Sequence, residues 1–137
     1  MMNTKTVCND VCDSRQLRRK AELALAAEVK NLLGRDEAEG LCWKGTQVDL
    51  MEALYTVFTT GCITDDEGYG VGFGHLVDDV CRLLHTRRPR NPYCIAHRGQ
   101  VRKGIYRRTY MEEYERKFYK LGVPAPFSIA IGGGADG

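Results

Sequence analysis

Thr46-Gln47-Val48-Asp49-Leu50-Met51-Glu52-Ala53-Leu54-Tyr55-Thr56-Val57-Phe58-Thr59-Thr60-Gly61 reads as a helix from cap to stop. The Thr46 hydroxyl can accept from a first-turn amide that has no partner inside the helix. Val48, Met51, Leu54, Tyr55 and Phe58 recur at the spacing that places them on one helical face. Gly61 suits the left-handed backbone that ends many helices. Just before it, Leu41-Cys42-Trp43-Lys44 reads as a short strand. The stretch sets the class: a helical domain with at most one or two very short strands.

Working outward, Ser14 to Leu33 reads as another helix, with Leu17, Ala21, Ala24, Leu25, Val29, Leu32 and Leu33 as its apolar stripe and Gly34 as its end. Arg15, Arg18, Arg19 and Lys20 crowd its first turns, where positive charge opposes the helix dipole. A solvated face is the simpler account of that cluster. A third helix is expected from about Phe73 to His85, with Leu76, Val77, Val80, Cys81 and Leu84 inward and His85 placed to serve the dipole. Asn91-Pro92 starts a fourth, because Asn caps well and proline has no amide to waste at the first position. It should run to Arg102. Thr109 and Glu112 form a T-x-x-E capping box for a last helix, with Tyr110, Tyr114, Phe118 and Leu121 inward and Gly122 and Pro124 as its stop. The predicted organisation is a flexible arm at 1–13, one helical domain at 14–122 and a flexible glycine-rich tail at 123–137.

The net charge of +2 hides two opposed blocks. Residues 36–79 hold ten Asp or Glu and one Lys. From Val80 to Met111 there are nine Arg or Lys and no acid: Arg82, Arg87, Arg88, Arg90, Arg98, Arg102, Lys103, Arg107 and Arg108. Charge runs are commonly no more than a solvated surface. This one is mostly arginine, whose planar fork suits phosphate and guanine edges. It also flanks a capped helix and a loop, as in proteins that lay a reader helix against DNA.

Other chemistry is thinly represented. The six cysteines, at 8, 12, 42, 62, 81 and 94, are expected to be reduced, those from Cys42 to Cys94 as small buried hydrophobes. Cys8 and Cys12 are a close pair without a matching pair of ligands, so no metal is expected. Gly68-Tyr69-Gly70-Val71-Gly72-Phe73-Gly74 misses the G-x-G-x-x-G spacing, and Gly45-Thr46 lacks the lysine of a phosphate-binding loop. Both read as turns and helix starts. His75, His85 and His97 form no ligand or catalytic set, and Asp65-Asp66-Glu67 and Asp78-Asp79 read as solvated acids. The expectation is a non-enzyme with no cofactor and no small-molecule substrate. No apolar run approaches bilayer length and the start lacks a secretory signal, so a cytoplasmic protein with no membrane contact is expected.

The run Leu41-Cys42-Trp43-Lys44-Gly45-Thr46 to Tyr55 resembles the L-x-W-x-G-[ST] signature of the RteC family, regulators carried by conjugative transposons of Bacteroides and relatives. The similarity continues at Thr60-Gly61-Cys62-Ile63, Tyr93, Arg102-Lys103 and Arg108-Thr109-Tyr110-Met111, and spans about 41–120. The resemblance implies a helix-turn-helix or winged-helix-like DNA-binding unit and control of excision or transfer. It would give Arg102, Lys103 and Arg108 the contact role and leave Trp43, Leu50, Leu54 and Tyr55 as core. The chain departs from the pattern in lacking room for the family's N-terminal domain. Two extra residues also precede Arg108, and Arg87-Arg88-Pro89-Arg90 is its own feature.

The expected function is therefore regulation of transcription or excision on a mobile element through double-stranded DNA. The DNA-binding residues would be Arg87, Arg88, Arg90, Arg98, Arg102, Lys103, Arg107 and Arg108. A homodimer is left open. The rivals are a protein-interaction module that pairs acidic and basic faces of neighbouring copies, and an RNA-binding domain.

Overall fold

A computed structural model describes residues 10–98 and 108–133. In chain order the elements are α1 (Asp10–Leu33), a 3₁₀ turn (Glu37–Glu39), β1 (Leu41–Trp43), α2 (Gln47–Thr60), α3 (Phe73–Leu83), the described helical stretch 92–98, α4 (Tyr110–Glu115) continuing as a π-helical turn (Arg116–Lys120), a second 3₁₀ turn (Ser128–Ala130) and β2 (Ile131–Gly133). It is a mostly α domain with one two-stranded antiparallel sheet, in which Leu41 pairs Gly133 and Trp43 pairs Ile131.

The helix signals operate where the sequence puts them. Thr46 Oγ1 accepts from Asp49 N, and Gly61 closes α2 in the left-handed region with φ 71°. Thr109 and Glu112 satisfy each other's backbone amides in a complete capping box. Asn91 Oδ1 accepts from Cys94 N at 3.2 Å, which caps 92–98. The W-x-G-T run has its own logic. The Trp43 indole donates to the Thr46 carbonyl at 2.8 Å. A side chain at Gly45 would meet that ring at 3.0 Å. The ring folds back over the glycine and fixes the chain as it enters α2.

α1 lies across α2, α3 and α4. Ala21, Leu25, Val29 and Leu32 meet Leu50, Met51, Leu54 and Val57 of α2 and Leu76, Val77 and Val80 of α3 in one core. Glu28, on α1, gathers the distant end of the chain. Its carboxylate accepts from Tyr114 Oη at 2.5 Å, from Ser128 N and Oγ at 2.8 Å each, and from Phe127 N at 3.4 Å.

Several expectations change. α1 starts at Asp10, inside the segment expected to be a loose arm; residues 1–9 lie outside the description. The chain after Gly122 folds back instead of trailing. Pro126 and Phe127 are buried, and β2 closes the sheet. Apolar Phe127 and Ile131 supply burial that the glycine-rich composition obscures. Residues 134–137 are not described. Leu17 is 45% exposed, and its carbonyl accepts from Tyr119 Oη at 2.8 Å. Leu121 is 56% exposed. Its amide bonds Arg116 O, five residues back, and this wide turn rotates Leu121 off the Tyr110–Tyr114–Phe118 stripe. α3 ends at Leu83, and His85 sits at φ 52° with Nδ1 2.8 Å from the Leu41 carbonyl, tying helix to strand. Of Cys42, Cys62, Cys81 and Cys94, only Cys81 is buried. Cys42 points outward by strand alternation, Cys62 follows the helix stop, and Cys94 is on the outer side of its helix.

Candidate nucleic-acid interface

The segment 86–98 is built around two buried prolines. Pro89 and Pro92 are covered, while Arg87, Arg88, Arg90 and Asn91 between and beside them are exposed. Fixed proline backbone angles on either side of Arg90 limit the freedom of this connector. Gln47 Nε2 donates to the Arg87 carbonyl at 3.1 Å, pinning it to the first turn of α2. The helical stretch then divides cleanly. Pro92 and Ala96 are buried and Ile95 is half-buried, whereas Tyr93, Cys94, His97 and Arg98 face out. The exposed side chains of this segment, Arg87, Arg90, Tyr93, Cys94, His97 and Arg98 among them, include no carboxylate.

The acidic and basic blocks meet within one molecule, and this sorts the arginines. Arg88 pairs with Asp78 of α3 and also donates to the Pro89 carbonyl at 3.0 Å. Arg82 pairs with Glu37 at 3.3 Å and Asp79 at 3.2 Å. Among the described residues, no ion pair engages Arg87, Arg90 or Arg98. Exposed pairs such as these contribute about 1 kcal/mol or less to stability. Their main effect is on availability: two guanidinium groups of the basic block are already partnered by carboxylates.

Arg108 belongs to a different place. It lines a cleft of about 410 Å³ with Trp43, Gly45, Asp49, Tyr110, Glu113 and Lys117. Arg116, bonded to Glu113 at 2.6 Å, holds that carboxyl below the usual range, and Arg108 and Lys117 add to the effect. Arg102, Lys103 and Arg107 lie outside the described residues. The structure thus brings together four of the eight predicted contacts, Arg87, Arg88, Arg90 and Arg98, on one connector–helix unit, and sets Arg108 in a cleft. Sequence reasoning gave Tyr93 no part in the surface. Its signal was the outward position immediately after the capped Asn91-Pro92 pair.

Glu52 is the one buried carboxylate of the described core, 2% exposed. Its Oε1 accepts from Tyr110 N at 3.2 Å and so satisfies an amide at the start of α4. Burial pushes its pKa up, against the opposing pull of that bond. Burial likewise pushes the Cys81 thiol up to about 11. Among the described residues, no group of three or more His, Cys, Asp or Glu is placed to hold a metal ion. None of the described helices is long and apolar enough to cross a membrane. Comparison with protein-family models, with curated proteins and with solved structures gives no match.

Proposed function

We propose that this chain is a DNA-binding regulatory protein of a mobile genetic element, controlling transcription or excision. The observation that carries the DNA contact is the acid-free outer surface of 86–98, where Arg87, Arg90 and Arg98 have no ion-pair partner among the described residues. Such a surface gains affinity by displacing the counterions condensed on phosphates. Helix-turn-helix or winged-helix-like docking is part of the proposal, with 92–98 as the reader helix and Arg87 and Arg90 on the backbone. The mobile-element role rests on the resemblance of 41–120 to the RteC family. Pairing of acidic and basic faces between neighbouring copies draws less support, because Arg82 and Arg88 already find their carboxylates within the chain.

Fluorescence anisotropy on a labelled duplex across a salt series tests the reading. Each phosphate neutralised contributes about 0.9 to the slope of log K against log salt. Replacing Arg87, Arg90 and Arg98 together by alanine should therefore flatten the slope by about 2.5 to 3. Absent or salt-insensitive binding by the unaltered protein would overturn the proposal.

A further inference from the structure

Tyr93 sits in the first turn of 92–98 and is 51% exposed. Its ring is held from behind by an aromatic wall. The centroid lies 4.6 Å from that of Phe73, tilted by 59°, and 5.9 Å from that of Tyr55, edge-on at 73°. Phe73 is 2% exposed and contacts both Tyr55, at 5.3 Å, and Phe58, at 5.9 Å. The buried Pro92 and the Asn91 cap fix the backbone on which Tyr93 stands. Its ring therefore has little freedom to reorient, and half of its surface is left open to solvent. The other exposed residues from Arg90 to Arg98 are Arg90, Asn91, Cys94, His97 and Arg98, and none is acidic.

A ring needed only to cover Phe73 could be any apolar side chain. A braced, half-open aromatic ring on a segment that also exposes Arg90 and Arg98 has a more specific capability. Nucleobases stack on such rings, and the guanidinium groups hold the adjoining phosphates. In an intact B-form duplex the base faces are stacked on each other and out of reach, so the ring can be used only by a base that has left the stack.

We infer that Tyr93 is a stacking platform for an unstacked nucleobase, and that the DNA this surface prefers carries a bulged or single-stranded nucleotide. The inference rests on the proposed DNA binding and specifies the kind of DNA. The test uses the full chain with two otherwise identical duplexes, one flush and one with a single bulged 2-aminopurine. The bulged duplex should bind about tenfold tighter, within the range measured for one base on one aromatic ring. Its 2-aminopurine fluorescence should be quenched on binding. Tyr93→Leu, which keeps apolar cover over Phe73, should bind both duplexes equally and lose the quenching, whereas Tyr93→Phe should retain both effects. Equal affinity and no quenching with the unaltered protein would overturn the inference alone. So would a preference that survives in Tyr93→Leu. Failure to bind any DNA would remove the underlying DNA reading as well.

Discussion

Phe127→Ala is the substitution that most directly tests how the domain closes. The ring is fully buried and lies 5.1 Å from the ring of Trp43, inclined by 33°. Truncating a buried phenylalanine costs about 3–5 kcal/mol, from lost apolar transfer and the cavity left behind. The Phe127 amide still reaches Glu28, so the backbone contact is kept and the loss is one of packing. A domain of this size has about 5–15 kcal/mol in total, and each kcal/mol is worth roughly 3–5 °C. The midpoint should therefore fall by about 9–25 °C. Thermal and urea melts followed by far-UV circular dichroism measure it. The emission of Trp43, the only tryptophan, should report the same transition from the site of the change. Ile129→Ala is the control, since Ile129 is 55% exposed and its truncation should cost no more than about 0.5 kcal/mol. If Phe127→Ala melts within about 3 °C of the unaltered protein, the docking of 123–133 onto the core is refuted.

Glu52→Gln should stabilise the protein increasingly as pH rises. Burial makes native Glu52 hold its proton more tightly than the unfolded chain does, so the native state loses stability as pH climbs from the ordinary glutamate value through the raised one. Urea midpoints of the two proteins should converge near pH 4 and separate toward pH 7; a gap that widens toward acid would contradict this sign. Asp78→Asn releases Arg88 and should steepen the salt slope of DNA binding by about 0.9, with stability changed by less than about 1 kcal/mol. An unchanged slope would mean that Arg88 stays off the DNA. In thiol labelling of the native protein near neutral pH, mapped by mass spectrometry, Cys42, Cys62 and Cys94 should react and Cys81 should wait for unfolding. Bound DNA should shield Cys94; labelling there at an undiminished rate would count against the 92–98 surface.

What could be read from the sequence was what lies within a few residues. Thr46, Gly61, Asn91 and the Thr109–Glu112 pair each act on amides close in the chain, so their spacing alone identified them. The stripe of α3 was legible because a periodic apolar face needs no knowledge of what covers it. On α2 only Met51 and Leu54 of the expected face are buried, and Val48, Tyr55 and Phe58 are half-buried. Leu50, Ala53 and Val57 are buried beside them because the helix is covered on more than one side. What was not legible depends on distant partners. Leu17 fits its stripe, yet that stripe reaches the core only from Ala21 onward. Phe127 lies among residues of turn and linker character, and its burial requires Trp43, far back in the chain. The same divide runs through the candidate site. The basic run was plain in the sequence, but not that Asp78 and Glu37 take up Arg88 and Arg82 and leave Arg87, Arg90 and Arg98 unpaired among the described residues. Nor could spacing reveal that Tyr93 would be braced by Phe73.

The Glu28 carboxylate joins residues about a hundred positions apart, and β1 waits for a strand at Ile131–Gly133. This has a consequence for synthesis. α1, α2 and α3 can begin to collapse while the chain is still being made, since their contacts lie within the first eighty-odd residues. Until residues 127–133 have cleared the ribosome, Trp43 lacks the Phe127 ring, Leu41 to Trp43 present a bare strand edge, and Glu28 lacks Phe127 and Ser128. The nascent domain therefore passes through an open, aggregation-exposed interval that ends only when the segment from Phe127 to Gly133 docks, and a ribosome paused before Phe127 is added would hold it there.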